Sequence, residues 1–153
     1  MGLRGPAPKP TAVRILEGNR SRRPLNDREP TPRDTAPRCP PFVQDDPVAY
    51  RTWRYYIPIL KRMKVLTEAD GIVLANLCLA HSFMLTCLSK VREMNEKSNS
   101  GIAGMIVPTS TGYLGVNQLY VQVRNAMDQE LKFCRELGLS PASRSRIQAE
   151  KSD

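Results

Sequence analysis

The chain has 153 residues, and 23 lysine and arginine residues against 15 aspartate and glutamate residues give it a net charge of +8. The length suits one domain with short tails, and the basic excess favours polyanionic partners such as nucleic acid. An integral membrane protein is not expected, because the apolar runs are shorter than the ~20 residues that span a bilayer. The first ten residues lack the apolar stretch of a secretory signal. The four cysteines lack C-x-x-C spacing and are expected to be reduced thiols.

Residues 1–38 are the most basic and proline-rich part of the chain. They hold nine of the basic residues, four acidic residues and seven of the 13 prolines. Proline fixes φ and lacks an N–H group, and the apolar content of this segment is too low for a core. We therefore expect a flexible, largely disordered basic arm, with one short helical turn near residues 11–17.

The first long helix is predicted to begin at Asp46. Asp46-Pro47 is typical of an N-cap followed by the first helical residue, and Tyr50 and Trp53 follow on one apolar face. Pro58 falls inside this helix and predicts a kink or a break near residues 55–57. Basic residues close the helix, where they suit its dipole: Lys61, Arg62 and Lys64.

A second, longer helix is predicted over residues 68–96, with Thr67 as its N-cap. It is apolar over a wide arc, and a helix of this kind is buried on more than one side. We expect it to be covered partly by its own subunit and partly by a neighbouring subunit.

A small β-hairpin or a structured loop is predicted where residues 105–107 and 113–114 flank a Pro-Thr-Ser-Thr-Gly stretch. A hairpin alone is marginal in water. It is therefore expected to pack on helices or to pair across a subunit boundary.

A third long helix is predicted from Asn117 to Leu137, with Gly138 as its stop signal. Ser140 and Pro141 then begin a short polar helix, as an N-cap and first-turn pair.

The predicted fold is mainly α-helical. Residues 39–140 form a helical oligomerisation domain with one small β-hairpin, and residues 141–153 form a short polar helix and tail. The wide apolar arc predicts a closed cyclic homo-oligomer, because one small domain struggles to cover so much apolar surface. The predicted interface residues lie on the long helix and the hairpin: Leu77, Met84, Leu88, Val91, Ile106, Val107 and Tyr113.

The sequence carries no motif of a catalytic or metal site. It has no G-x-x-x-x-G-K-[ST] phosphate-binding loop and no H-E-x-x-H zinc motif. The single histidine, His81, is expected to be a core or interface residue, and helix capping explains the acidic pair Asp45-Asp46. We predict no catalytic residue, no metal and no cofactor, and therefore no enzyme.

The basic residues near the two ends of the chain are the candidate DNA contacts. Each phosphate that they neutralise releases counterions and makes binding more sensitive to salt. The alternative is a solvated tail that only keeps the protein soluble. Four aromatic residues at 50–56 suggest base stacking, but the helical spacing of Tyr50 and Trp53 favours core packing. The candidate contacts are Arg4, Lys9, Arg14, Arg20, Arg22, Arg23, Arg28, Arg144 and Arg146.

Short sequence stretches along most of the chain carry a family resemblance. They are Arg4-Gly5-Pro6, Lys9-Pro10-Thr11-Ala12, Leu16-Glu17-Gly18-Asn19, Arg23-Pro24-Leu25-Asn26, Cys39-Pro40, Trp53, Pro58, Leu60, Val65-Leu66-Thr67-Glu68, Asp70, Gly112-Tyr113, Asn117, Leu137-Gly138-Leu139-Ser140-Pro141 and Arg144. Because of the order and spacing of these stretches, the chain resembles the small terminase subunits of tailed bacteriophages, in the branch with a basic, proline-rich amino-terminal arm. It departs from the family pattern at Gln118, where the family often has proline, and near Ala7, where the family tends to have more basic residues.

The resemblance implies a non-enzymatic subunit of the genome-packaging machinery in the host cytoplasm. Such subunits assemble into rings, bind viral double-stranded DNA near the packaging initiation site, and present it to the large terminase subunit. The large subunit supplies the ATPase and the nuclease, and the small subunit modulates both activities. No membrane partner is implied.

Three alternatives stay open from the residues. A small basic nucleic-acid-binding regulator would be a monomer or dimer with a base-reading helix. A head-completion ring of the virion would bind protein and not DNA. A metal-dependent nuclease would need more clustered carboxylates than this sequence has.

Overall fold

The computed structural model describes the larger part of the chain. The residues described are Thr11, Ile15, Gly18, Arg22, 24–26, 32–98 and 101–144, with only the backbone of Arg144. The chain divides into two compact units, Met1–Pro32 and Arg33–Asp153. In the first unit, Thr11 and Ile15 have helical backbone. The other residues of the helical turn predicted at 11–17 lie outside the described residues.

The second unit begins at Arg33, before the predicted start of the domain at Cys39. The Arg33 carbonyl accepts from the Glu68 N–H at 3.1 Å, and the Arg33 N–H donates to Glu68 Oε1 at 3.4 Å. Pro37 lies against Gly71, where an added Cβ atom would be 2.9 Å from the Cβ of the proline. The segment that was expected to end the arm therefore folds onto the helical domain.

Helices α1 (Pro41–Gln44) and α2 (Pro47–Arg62) open this domain. The N-cap predicted at Asp46 is confirmed, because Asp46 Oδ1 accepts from the N–H groups of Val48 at 2.9 Å and Ala49 at 3.0 Å. The single turn of α1 is an addition to the predicted elements.

The structure differs from two predictions for α2. The break predicted near residues 55–57 is wrong, because the helix is continuous to Arg62, and the alternative of a kink at Pro58 stays a prediction. Pro58 lies on the exposed side of α2, so the Arg54 carbonyl that loses its N–H donor faces water. Tyr50 is 39% exposed instead of belonging to the core, whereas the predicted burial of Trp53 is confirmed at 4% exposure.

A short 3₁₀ helix, Glu68–Asp70, leads into the long helix α3 (Gly71–Ser98). The capping interaction predicted at Thr67 is confirmed. Asp70 Oδ2 accepts from both the N–H and the hydroxyl of Thr67, each at 2.7 Å. The helix ends slightly later than predicted.

The predicted hairpin is confirmed by two antiparallel strands, β1 (Ile106–Pro108) and β2 (Leu114–Val116). Its turn holds Gly112 at a φ of 83°, in the left-handed region that favours glycine. Helix α4 (Gln118–Glu136) follows and is capped by Asn117, as predicted.

The predicted end of the third long helix is also confirmed. Leu137 is the C-cap of α4, and Gly138 has a φ of 69°. Helix α5 (Pro141–Arg144) then forms the predicted short helix, with the Ser140 hydroxyl accepting from the Ser143 N–H at 3.2 Å.

The core has two parts, and α3 contributes to both. The first part also contains α1, α2 and the end of α4, and its largest fully buried side chains are Val43, Leu60, Leu74, Leu77 and Cys78. The second part joins Cys87 and Val91 of α3 to Val123 of α4. The buried face of α3 therefore turns around the helix axis from its first half to its second. This change of face explains much of the wide apolar arc.

The helical stretch Glu68–Ser98 is long and apolar enough to cross a bilayer, by length and composition alone. This finding corrects the expectation that no segment reaches that length. In the fold, the stretch packs against α2 and α4, and its Leu74 and Leu77 have no exposed surface. The core helix of a soluble domain meets the same length and composition test, so the stretch gives only weak evidence for a membrane span.

Candidate interaction surfaces

Two of the predicted interface residues lie in the core of their own chain. Leu77 is 0% exposed and Val91 is 3% exposed, so neither forms part of the surface of the domain. This burial corrects their predicted place in the interface. Leu77 packs with residues of α1, α2 and the end of α4, and Val91 packs against α4. Met84 and Leu88 are half-buried against the core cluster around Cys87.

The hairpin carries the other three predicted interface residues, and it presents an apolar sheet face. Its register pairs Ile106 with Val116 and Pro108 with Leu114, so these four side chains share one face. Leu114 is 77% exposed, Val116 is 62% exposed and Ile106 is 39% exposed. We call these four residues the hairpin face. Sequence reasoning missed Leu114 and Val116, because the pairing of the two strands decides which side chains share a face with Ile106.

The remaining two predicted residues of the hairpin lie differently. Val107 is half-buried on the opposite side of the sheet, where it pairs with Gly115. Tyr113 is 78% exposed beside the hairpin face. The surrounding sequence carries no charge, because no acidic or basic residue lies between Lys97 and Arg124. Depletion of charged residues with enrichment of aromatic residues is typical of the centre of a protein interface.

The base of the hairpin is held firmly on α3. The Gly104 N–H donates to Asn95 Oδ1 at 2.7 Å, and the Asn117 N–H donates to the Met105 carbonyl at 2.7 Å. A Cβ atom at Gly104 would lie 2.3 Å from the Val91 carbonyl oxygen, so only glycine permits this approach. These contacts fix the direction in which the hairpin face points.

A second apolar surface lies in a shallow groove of about 280 Å³ between α3 and α4. Phe83, at 50% exposure, is its most prominent side chain. The lining residues are Asn76, Leu79, Ala80, Phe83, Gln129 and Phe133. The groove adds a surface that was not predicted from the sequence.

The candidate DNA contacts fall mostly beyond the described residues. Arg22 is described and exposed, and its φ is 47°. Arg144 ends α5, and its side chain is not described. Arg4, Lys9, Arg14, Arg20, Arg23, Arg28 and Arg146 lie outside the described residues. Within the described part of the chain, the structure therefore does not place any two of the nine candidate DNA-contact side chains next to each other.

A basic face of α2 was not recognised in the sequence. Arg51, Arg54, Lys61 and Arg62 are exposed on this helix, together with Tyr55 at 64% exposure. From the sequence, the basic residues in the last turn of α2 are interpreted only as a match for the helix dipole. Core packing is favoured for the aromatic residues at 50–56, because of the spacing of Tyr50 and Trp53. The exposure of Tyr55 contrasts with the half-burial of Tyr56. Burial is the main cause that raises the pKa of Tyr56 to about 12.

The polar groups inside the domain have structural partners. His81 Nδ1 lies 3.1 Å from Glu130 Oε1, and this pair joins α3 to α4. Within the described residues, no group of three or more His, Cys, Asp or Glu side chains could hold a metal ion. The four cysteines are free thiols, and burial raises the pKa of Cys78 to about 12.

A comparison with protein families identifies the chain. Residues 49–153 match the family model described as "Phage terminase, small subunit". No curated protein matches the chain significantly, and no solved structure does. The matched region holds the helical domain from α2 onward, including the hairpin and the groove. Because this match covers more than half of the chain, the protein belongs to the phage terminase small subunit family, whose role is in phage DNA packaging.

Proposed function

We propose that this protein is the non-catalytic, DNA-recognising subunit of a phage terminase and that it works as a cyclic homo-oligomer in the host cytoplasm. It binds viral double-stranded DNA at the packaging initiation site and delivers it to the large terminase subunit. It also modulates the ATPase and the nuclease of that subunit. The family membership gives the general role, and the surfaces and charges described above support the oligomer and the DNA contact. The steps that involve the large subunit follow from the family resemblance.

The hairpin face is the observation that carries the oligomer. A two-stranded sheet is marginal by itself, and here it leaves four apolar side chains on one face, with Leu114 and Val116 more than half exposed. An apolar face of this kind, in a segment without charge, favours burial against another protein surface. We therefore keep Ile106 and Tyr113 in the proposed interface and add Leu114 and Val116, whereas Val107 lies on the opposite, half-buried side of the sheet.

The groove between α3 and α4 supports a ring over a simple two-fold dimer. Ring closure by more than two subunits requires two different surfaces on each subunit, and the contact between them is head-to-tail. The hairpin face and the groove at Phe83 are two apolar surfaces of different shape on one domain. Met84 and Leu88 remain proposed contacts at the edge of this interface.

The charge distribution supports DNA binding by the amino-terminal arm. Residues 1–38 carry a net charge of +5, from nine basic and four acidic residues. Arg22 is the one candidate contact whose side chain is described, and it is exposed. A basic segment of this kind binds mainly through phosphate contacts, which position the DNA without reading its bases.

The oligomer is tested by light scattering coupled to size exclusion, at high salt and without DNA. Wild-type protein is expected to elute as one species of many subunits. Leu114→Asp places a charge on the hairpin face and should lower the mass to that of one subunit. Ser110→Asp is the matched control, because it adds the same charge to the exposed turn of the same hairpin. A monomeric wild type at micromolar concentration would contradict the oligomer, and equal masses for both variants would remove the hairpin face from the interface.

A further inference from the structure

Helix α2 differs from the rest of the helical domain in its charge. Residues 47–67 contain five basic residues and no acidic residue, whereas the rest of residues 39–140 contain six basic and nine acidic residues. The small net charge of the domain therefore hides one strongly positive segment. A segment with so uneven a composition is unusual for a helix that only covers a core, because surface helices normally mix both signs.

The positive side chains of α2 lie on its solvent side. Arg51, Arg54, Lys61 and Arg62 are all exposed, and the opposite side of α2 buries Trp53 and other apolar residues in the core. Among the described residues, none of these four cations pairs with a carboxylate. By contrast, Lys90 and Lys97 on α3 both contact Glu93.

The four cations and Tyr55 form a continuous stripe. At 100° per residue, Arg51, Tyr55 and Arg62 lie within one narrow arc of the helix, and Arg54 and Lys61 lie beside them. From Arg51 to Arg62 the stripe runs for about 16 Å along the helix axis. This length equals about half a turn of B-form DNA, over which a phosphate charge occurs every ~1.7 Å of axis.

We propose that this solvent face of α2 is a second DNA-binding surface, which contacts the phosphate backbone of duplex DNA from the folded domain. The inference rests on the proposed function, in which the protein binds duplex DNA, and it adds a site that lies apart from the arm in the sequence. Arginine binds phosphate oxygens with a planar pair of donors, and three of the four cations are arginines. Tyr55 supplies a hydroxyl that reaches a phosphate or sugar oxygen from the same face.

The chemistry of the stripe favours duplex DNA over a single strand. Single strands are bound on rows of exposed aromatic side chains, and the stripe has Tyr55 as its one aromatic residue. A row of four long cations instead matches the regular line of phosphates on a duplex. Because the contacts are to the backbone, the surface orients the DNA and leaves the choice of sequence to other contacts or to DNA shape.

The test compares three full-length variants that each lose four positive charges. The first neutralises the stripe through substitutions to glutamine at Arg51, Arg54, Lys61 and Arg62. The second is the matched control and neutralises four exposed cations on α3 and α4, namely Arg92, Arg124, Lys132 and Arg135. The third neutralises the arm at Arg20, Arg22, Arg23 and Arg28. Circular dichroism and light scattering establish that helix content and subunit number are unchanged.

The readout is the affinity for duplex DNA as a function of salt concentration. If all four cations of the stripe contact phosphates, the slope of log K against log salt becomes shallower by about 3.6 for each subunit on the DNA. The control variant should change this slope by much less than the ~0.9 that corresponds to one phosphate contact. A stripe variant that behaves like the control, while the arm variant loses its salt dependence, would overturn this inference and leave the proposed function intact. Failure of the wild type to bind duplex DNA at low salt would overturn both.

Discussion

Replacing Asp46 with alanine tests how the start of α2 is joined to α3. Asp46 Oδ1 accepts from two N–H groups in the first turn of α2, and Asp46 Oδ2 accepts from the Ser82 hydroxyl at 2.6 Å. Ser82 is only 5% exposed. The substitution therefore removes the cap and leaves a buried hydroxyl group without its acceptor.

The magnitude follows from these two losses. An N-cap residue contributes about 0.5–2 kcal/mol, and a hydrogen bond to a charged group contributes about 1.5–3 kcal/mol. We expect Asp46→Ala to lower the free energy of unfolding by about 2–4 kcal/mol. For a domain of this size, that loss lowers the melting temperature by about 8–16 °C.

The same contact has a defined pH dependence. The pKa of Asp46 is lowered, first by the Ser82 hydrogen bond and then by the Ala49 N–H, while partial burial opposes them. Because the folded pKa lies below the ordinary value of 3.8, the stabilisation is complete above that value and is lost as the pH falls through the folded pKa. The difference in stability between wild type and Asp46→Ala should therefore shrink in acid.

The assay is urea unfolding of Asp46→Ala, Ser82→Ala and the double variant at neutral pH. The losses of unfolding free energy in the two single variants should add up to about 1–2 kcal/mol more than the loss in the double variant, because both single variants remove the same hydrogen bond. Asp45→Ala is the control, since Asp45 is exposed, and it should change stability by less than about 0.5 kcal/mol. Single effects that add to within about 0.5 kcal/mol would refute a stabilising role for this hydrogen bond.

Three further predictions concern the hairpin base, a phenol and a thiol. Gly104→Ala should lower the melting temperature and the subunit number together, because the added Cβ atom would lie 2.3 Å from the Val91 carbonyl oxygen. A variant that melts at the wild-type temperature would contradict this close approach. Spectrophotometric titration should show a tyrosine that ionises only near pH 12, and Tyr56→Phe should remove that step. Cys78 has no exposed surface and a pKa raised to about 12, so it should resist a thiol reagent in native protein while the half-buried Cys39 reacts. Rapid labelling of Cys78 would show that the core opens.

The ends of the helices could be predicted because each is determined by neighbouring residues. Asp46, Thr67 and Asn117 each cap a helix through groups no more than three residues away. Gly138 takes the positive φ that ends α4. These are local interactions, and their chemistry is readable from the order of residues alone.

Burial could not be predicted in the same way. Periodicity identifies a face of a helix but does not show what covers it. Leu74 and Val91 lie on different faces of α3 and belong to two separate core clusters, so much of the arc that indicated a subunit interface is internal. Tyr50 shares its spacing with Trp53, yet it lies at the edge of the covered face and is 39% exposed.

For the hairpin, the strands could be predicted from the sequence, but the set of side chains exposed on one face could not. Which side chains share a face depends on the register, and the register pairs Ile106 with Val116. The register therefore adds Leu114 and Val116 to the exposed apolar face and turns Val107 inward. A prediction of strands without their pairing cannot make this distinction.

The separation of charge along the chain links the two proposed surfaces. The segment between Lys97 and Arg124 has no charged residue, and α2 has only positive ones. Cations on an apolar interface would have to be desolvated and would repel the same cations of the next subunit. Cations on a DNA-binding face, in contrast, gain from every phosphate that they neutralise. A subunit that contacts both its own copies and DNA therefore benefits from keeping the charged and uncharged surfaces on different segments, and this chain keeps them on α2 and on the hairpin.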